Sequence, residues 1–308
     1  MVNSFLTVSE QVFILFILIA VGFVCGKTKL ITESGSKVMA DVVLYFVTPC
    51  VIISAFQREF DATMLIKLLV SVLASAIILF CSVIVAQLIY KKQERSRACV
   101  LKFATVFSNC GFMSLPLQQA LLGEDGVFYG ASFVAIFNVF VWTYGLRTMK
   151  GKEDKASLSK VLLNPGIIGT LLGIILFVCS ITLPKIVAQP INYLAALNTP
   201  VPMLIIGFYL SSANLKKAFT DFWAYVAMAL RLIVLPLVTL FVLLLCGIKG
   251  SMLVSLVISV SAPIAAITTM MSAKFGHDTE LSVSIVSAST LLSLVTMPLI
   301  VGLAQYLS

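Results

Sequence analysis

The feature that most constrains this chain is a succession of long apolar runs almost free of charge. Residues 62–89 carry one charged side chain, Lys67, and residues 222–247 carry only Arg231. A helix crossing the hydrocarbon of a bilayer needs about 20 apolar residues, and runs of this length have few other homes. Reading apolar runs between charges and turn residues gives ten spans, near 12–26, 38–57, 68–90, 103–121, 127–146, 165–183, 190–213, 222–247, 251–273 and 281–305. Composition agrees, with 60% hydrophobic and 11% charged residues, against roughly 25% charged in soluble domains. Ten spans at about 20 residues each leave about ten residues per connection in a chain of 308, so no extramembrane domain fits.

The net charge of +8 would suggest nucleic acid in a soluble protein. In a membrane protein an excess of Lys and Arg marks cytoplasmic loops instead, and no nucleic-acid partner is expected. Sixteen of the 21 Lys and Arg follow odd-numbered spans, four follow even-numbered ones, and Arg231 lies inside a span. The asymmetry predicts cytoplasmic odd-numbered loops, a multi-pass protein of the plasma membrane, and both termini extracytoplasmic. MVNSFLTVSEQ has no basic residue ahead of the first apolar run, so it does not read as a signal peptide. The seven cysteines are scattered, with no CxxC pair, and His277 is the only histidine. Neither a disulfide framework, a metal site nor a cofactor is expected.

The longest connection, beginning at Arg147, divides the chain into a five-span half at 1–150, a cytoplasmic linker at 151–160 and a second five-span half at 161–308. An odd number of spans per half inverts the second half relative to the first. Weak internal matches support such a repeat: Gly22 with Gly173, Thr48 with Thr199, Pro49 with Pro200, Ser108 with Ser261, Gly123 with Gly276 and Asp125 with Asp278. Inverted repeats are characteristic of secondary transporters.

The fourth span, FATVFSNCGFMSLPLQQALLG, places Ser108, Asn109, Cys110, Gly111, Ser114 and Pro116 around its middle. Pro116 removes a backbone donor and clashes with the preceding turn, and Gly111 weakens the helix further. The ninth span carries Ser261 and Pro263 centrally, followed by Thr268 and Thr269. Both helices are expected to break near the midplane, where irregular backbone is tolerated only against protein or a water-filled cavity. Each feature alone also suits a simple kink or close packing. Two interrupted spans at corresponding positions point to a transport site built from these residues.

Charges inside the membrane are few. Arg231 sits about ten residues into the eighth span; it either attracts an anionic substrate or ties the carbonyls of broken helices. Asp41, near the cytoplasmic start of the second span, is either a proton or sodium site or a favourable anion at a helix N-terminus. Asn138, alone and mid-span, suits a bond to another helix or the lining of a cavity. No HExxH, paired-aspartate or GxSxG motif is present, so an enzyme is not expected.

SNCGFMSLPL, from Ser108, resembles the fourth-helix signature of the auxin efflux carrier family, in which an Asn is followed by small residues and a Pro seven positions on; Asn109 and Pro116 reproduce the spacing. SAPIAAITTMMSAKFGHDTELSVSIVSASTLLSLVTMPL, LLNPGIIGTLLGIILF and ALRLIVLPL resemble further segments of the same family, in order along the whole chain. The resemblance implies an all-α carrier of ten helices in two inverted repeats, similar in fold to bile acid:sodium symporters, with a scaffold domain, a transport domain and crossing, broken fourth and ninth helices. It also implies alternating-access transport of organic anions, such as indole acetate in plants or malate and malonate in bacteria. The central loop is short, which favours a bacterial malate- or malonate-type permease, and Cys110 and Ser114 stand where many members carry Thr and Gly. The alternative within the fold is sodium-coupled symport of a larger amphipathic anion, with Ser108, Ser261, Thr268 and Thr269 as candidate cation ligands. A homodimer is compatible with either.

Overall fold

A computed structural model describes residues 2–150, 164–212 and 218–308; the linker expected at 151–160 lies outside them. The described residues are helical throughout, with a single isolated β-bridge. In chain order we label α1 (Val2–Lys27), α2 (Glu33–Ala55), α3 (Ala62–Ile89), α4 (Arg95–Val106), α5 (Cys110–Lys150), α6 (Pro165–Val178), α7 (Lys185–Ala196), α8 (Pro200–Ser212), α9 (Phe222–Leu245), α10 (Gly250–Ser261), α11 (Ile267–Lys274) and α12 (Thr279–Leu307). Among the described residues seven continuous runs are long and apolar enough to cross a bilayer: α2, α3, α5, α9, α12, the part of α1 from Leu6, and α7 with α8. Two shorter apolar helices, α6 and α10, accompany them.

Helix boundaries follow local chemistry. The sequence suggested a third span from residue 68, after Lys67, but α3 starts at Ala62 because the Asp61 carboxylate accepts from the Thr63 amide at 2.7 Å. The long side chain of Lys67 lets the helix begin around it, since such chains carry their charge outward to the interface. The eighth-span helix, α9, begins the same way, with Asp221 accepting from Trp223 N at 2.9 Å. Three of the four π-helical turns among the described residues, Val43–Val47, Cys110–Ser114 and Leu230–Val234, each end two residues before a proline: Pro49, Pro116 and Pro236. A helix-interior proline removes one rung of the ladder and its ring crowds the carbonyl four residues back. Widening the preceding turn accommodates both defects without ending the helix. Gly123 (φ 63°) bends α5 sharply, and Gly276 (φ 70°) turns the chain between α11 and α12. The left-handed region costs glycine nothing.

The molecule is apolar outside and finely polar within. Large hydrophobics such as Phe13, Ile17, Leu73 and Leu245 are exposed, as lipid contact requires. Inside, serines tie helices together: Ser71 Oγ to Ser132 Oγ at 2.7 Å between α3 and α5, and Ser255 Oγ to Gly126 O at 2.8 Å between α10 and α5. Gln118 of α5 donates to Ser255 O and Ser259 Oγ of α10. Lipid tails are as apolar as leucine, so such bonds and close small-residue packing hold membrane helices together. Helix α1 lies against α8 through Gly22 and Gly207, where a Cβ would strike the backbone of Leu204 and of Ile19. Likewise α6 lies against α2 through Gly169, whose Cβ would come within 2.8 Å of Pro49 Cα.

Candidate functional site

Helix α4 ends at Val106 and α10 at Ser261, and the chain resumes as α5 at Cys110 and as α11 at Ile267. The two irregular stretches run antiparallel. Asn109 N donates to Pro263 O at 2.7 Å and Ala265 N to Phe107 O at 3.0 Å, bracketing the Ser108–Ile264 bridge. This two-rung ladder supplies partners that the interrupted helices cannot, inside a bilayer where water is absent. Side chains complete the junction: Ser108 Oγ donates to Ser259 O at 2.7 Å, Ser114 Oγ to Ile258 O at 3.3 Å, and Ile264 N to Ser289 Oγ at 3.2 Å. Proline suits position 263 because its carbonyl, and not an amide, is what the ladder uses.

Arg231 is the largest fully buried side chain, 1% exposed. It projects from the π turn of α9. Its Nη1 donates to Thr105 O at 3.2 Å and Val106 O at 3.1 Å, and its Nη2 to Val260 O. All three carbonyls belong to the C-terminal ends of α4 and α10, where helices leave acceptors unsatisfied and present the negative end of their dipoles. Of the two roles open to Arg231, this geometry is that of the carbonyl tie.

In front of the junction lies a cavity of about 160 Å³. Helix α2 contributes Asp41, Leu44 and Thr48; the junction contributes Ser108, Asn109, Cys110, Gly111, Phe112 and Ala265 to Ile267; α5 adds Phe137 and Asn138, α6 Gly166, α8 Tyr209 and α11 Met270. Asp41 is the only acidic residue among them, and among the described residues no Lys or Arg lines the space. Asn164, directly ahead of Pro165, caps α6 by accepting from Gly166 N at 2.9 Å, and its Nδ2 donates to Asn138 Oδ1 at 3.2 Å. The same Asn138 donates to Val134 O at 2.9 Å, so one amide serves both its own helix and α6. At Gly111 an added Cβ would meet no atom within 4 Å, so the backbone faces open space.

Of the residues singled out in the sequence, Asp41, Ser108, Asn109, Cys110, Gly111 and Asn138 therefore come together around one cavity. Ser114, Pro116, Ser261, Pro263, Thr268, Thr269 and Arg231 do not line it. Ser114 and Arg231 bond to the backbone of the facing helices, whereas the hydroxyls of Ser261 and Thr268 are buried without a partner. Tyr209 and Met270 were missed, because nothing in an apolar run marks which face meets a cavity. Asn164 was legible in principle: Asn followed by Pro is a helix start with the cap at hand.

The model of the membrane transport protein family matches residues 7–160 and 154–301. The chain belongs to this family, that of the auxin efflux carriers. An uncharacterized transporter of Methanocaldococcus jannaschii is 27% identical over 306 residues, covering 94% of this chain and 96% of the relative. A second uncharacterized transporter, from Methanothermobacter thermautotrophicus, is 23% identical over 302 residues, covering 96% and 98%. The protein is thus a multi-pass membrane transporter, and the broken-helix junction is the irregular backbone within a transporter's interior.

Proposed function

We propose that this protein is a secondary active carrier that moves a small organic anion, such as a carboxylate, across the plasma membrane by alternating access. In this reading ten spans form two inverted halves, 1–150 and 161–308, with both termini extracytoplasmic. Paired features support the repeat: breaks at 107–109 and 262–266, left-handed Gly123 and Gly276, and the Asp61 and Asp221 caps of α3 and α9.

The observation that carries the reading is the cavity at the junction. Helices α5 and α11 restart beside it, and a helix N-terminus carries about half a positive charge and free amides, a receptor for carboxylate that needs no Lys or Arg. Its 160 Å³ equals about five waters at ~30 Å³ each. That suits an acid of a few carbons, whereas a larger amphipathic anion calls for the roughly 300–1,000 Å³ of drug-sized sites. A carboxylate repels Asp41 unless one of the two is protonated, which makes a proton the fitting coupling ion. Sodium fits less well: Ser261 and Thr268 have spare hydroxyls, but Arg231 already occupies the carbonyl of Val260 beside Ser261.

The cavity is lined from α2, α5 and α11, helices whose ends bear Lys37, Arg147 and Lys274, the side the charge asymmetry assigns to the cytoplasm. On the opposite side Arg58 bonds Asp125 at 2.6 Å and lies 4.8 Å over the Phe128 ring, joining the α2–α3 connection to α5. In this reading the Arg58–Asp125 pair belongs to the outer face of the carrier.

Uptake of labelled mono- and dicarboxylates into proteoliposomes, under imposed proton or sodium gradients, tests the proposal. Proton-driven uptake of a small carboxylate, abolished by Asn109→Ala in folded protein, is expected. Failure of the whole panel under both gradients, with the protein demonstrably folded, overturns it.

A further inference from the structure

A second cavity, of about 890 Å³, opens where α3 ends, α4 begins and α5 ends. Among the described residues its lining includes Lys91, Arg95, Lys102 and Arg147, and no carboxylate. Four cations facing one space repel one another, and a strongly single-signed concavity holds counter-ions. Lys102 is positioned rather than loose: its Nζ donates to Gln87 Oε1 at 2.8 Å, and Gln87 Nε2 donates to the Tyr144 hydroxyl at 3.0 Å. The start of α4 adds its positive dipole end to the same space. This site is separate from the junction cavity; among the described residues none lines both.

We propose that this cavity binds a phosphate-bearing anion, and that the phosphate is the headgroup of an anionic phospholipid in the adjoining leaflet. The surface of α3 favours a lipid over a soluble phosphate. Ile77, Phe80, Ile84 and Leu88 are all exposed and follow one another at spacings of three and four residues, which places them on one face of the helix. That apolar stripe leads along the hydrocarbon toward Lys91, which lies in the turn just beyond the end of α3 at Ile89. A lipid whose acyl chains lie along the stripe delivers its phosphate to the basic cavity. Basic pockets between spanning helices at the cytoplasmic surface are a recurrent way of holding such headgroups. Occupancy neutralises the mutual repulsion of the cations and clamps the ends of α3, α4 and α5 together.

The test uses the full-length protein in neutral detergent, followed by thermal unfolding while dihexanoyl phosphatidylglycerol, dihexanoyl phosphatidylcholine or glycerol phosphate is added. Phosphatidylglycerol should raise the unfolding midpoint with saturation, phosphatidylcholine should not, and glycerol phosphate should require far higher concentration. Arg95→Gln with Arg147→Gln should weaken the phosphatidylglycerol effect by about tenfold or more at a midpoint in neutral detergent no lower than the parent's, whereas Lys37→Gln should leave it intact. Should the double variant fail to fold, Lys91→Gln at an exposed position should still show a right-shifted titration. Equal effects of the two lipids, or full retention by the foldable variants, overturn the site. Full effect from glycerol phosphate at the same concentration overturns the lipid as its source.

Discussion

Replacing Arg231 by Met separates the tie that holds the broken helices from a direct part in binding substrate. Methionine fills most of the volume but donates nothing, so Thr105 O, Val106 O and Val260 O lose their partner. A hydrogen bond to a charged donor contributes about 1.5–3 kcal/mol, and a buried acceptor left unsatisfied costs about 1–3 kcal/mol. Burying the guanidinium is itself costly and methionine removes that cost. Taking the carbonyls at about 1–3 kcal/mol each and offsetting the recovered desolvation gives a net loss of roughly 3–5 kcal/mol. For a chain of this size about 2–4 °C per kcal/mol converts this to a midpoint lower by about 6–20 °C, read by thermal unfolding in detergent. Arg231→Lys should fall between, since one ammonium cannot span two helix ends with a planar fork. A variant that melts within about 2 °C of the parent by the same scaling while losing all uptake refutes the tie. It would make Arg231 a substrate-binding cation.

Other perturbations test neighbouring parts. Gly111→Ala meets no protein atom and should leave the unfolding midpoint unchanged, yet it places a methyl in a 160 Å³ cavity and should raise KM for uptake severalfold. Asp41→Asn should abolish the dependence of uptake on a proton gradient while leaving gradient-free counterflow of the same anion intact. Gly207→Leu drives a side chain into the backbone of α1 at Ile19 and Phe23 and should cost more than about 3 kcal/mol, as overpacking against unyielding backbone does; solubilised folded protein should be scarce. Hydrogen bonds from the Thr63 hydroxyl and amide hold the Asp61 carboxyl below its ordinary pKa. Its cap therefore stabilises fully above the ordinary carboxylate range and is lost as pH falls through the depressed value. Asp61→Asn, which keeps an acceptor at every pH, should flatten the acid limb of the stability profile.

Most of the architecture was legible because membrane insertion reads composition. Apolar runs located the seven helices long enough to cross a bilayer, and prolines lie at their defects: Pro116 and Pro263 mark the two breaks, and Pro49 and Pro236 follow π turns. Errors fell at the ends. Counting charges delayed α3 past Lys67 and extended the sixth span to residue 183, whereas α6 stops at Val178 because Ser180 turns left-handed at φ 51°. Within the site, Asn109 and Gly111 were recoverable from their place beside a break. Tyr209 and Met270 were not, because along an apolar helix the residue facing a cavity and the residue facing lipid look alike.

The sequence by itself determined that this chain lives in a bilayer, which stretches form long apolar helices, where two helices break, and that Arg231 needs partners inside. Those conclusions follow from the high cost of polar groups in hydrocarbon, a cost borne by each segment wherever the others lie. Tertiary structure decided what the freed groups bond to. Asn109 pairs with Pro263 across 154 positions of chain, and Arg231 reaches carbonyls of two helices at once. Such partnerships depend on which faces of distant helices meet, and in a chain this uniformly apolar no local pattern specifies that. Packing alone placed Asp41, Asn138 and Gly111 around one space and left Ser114 and Pro116 behind it.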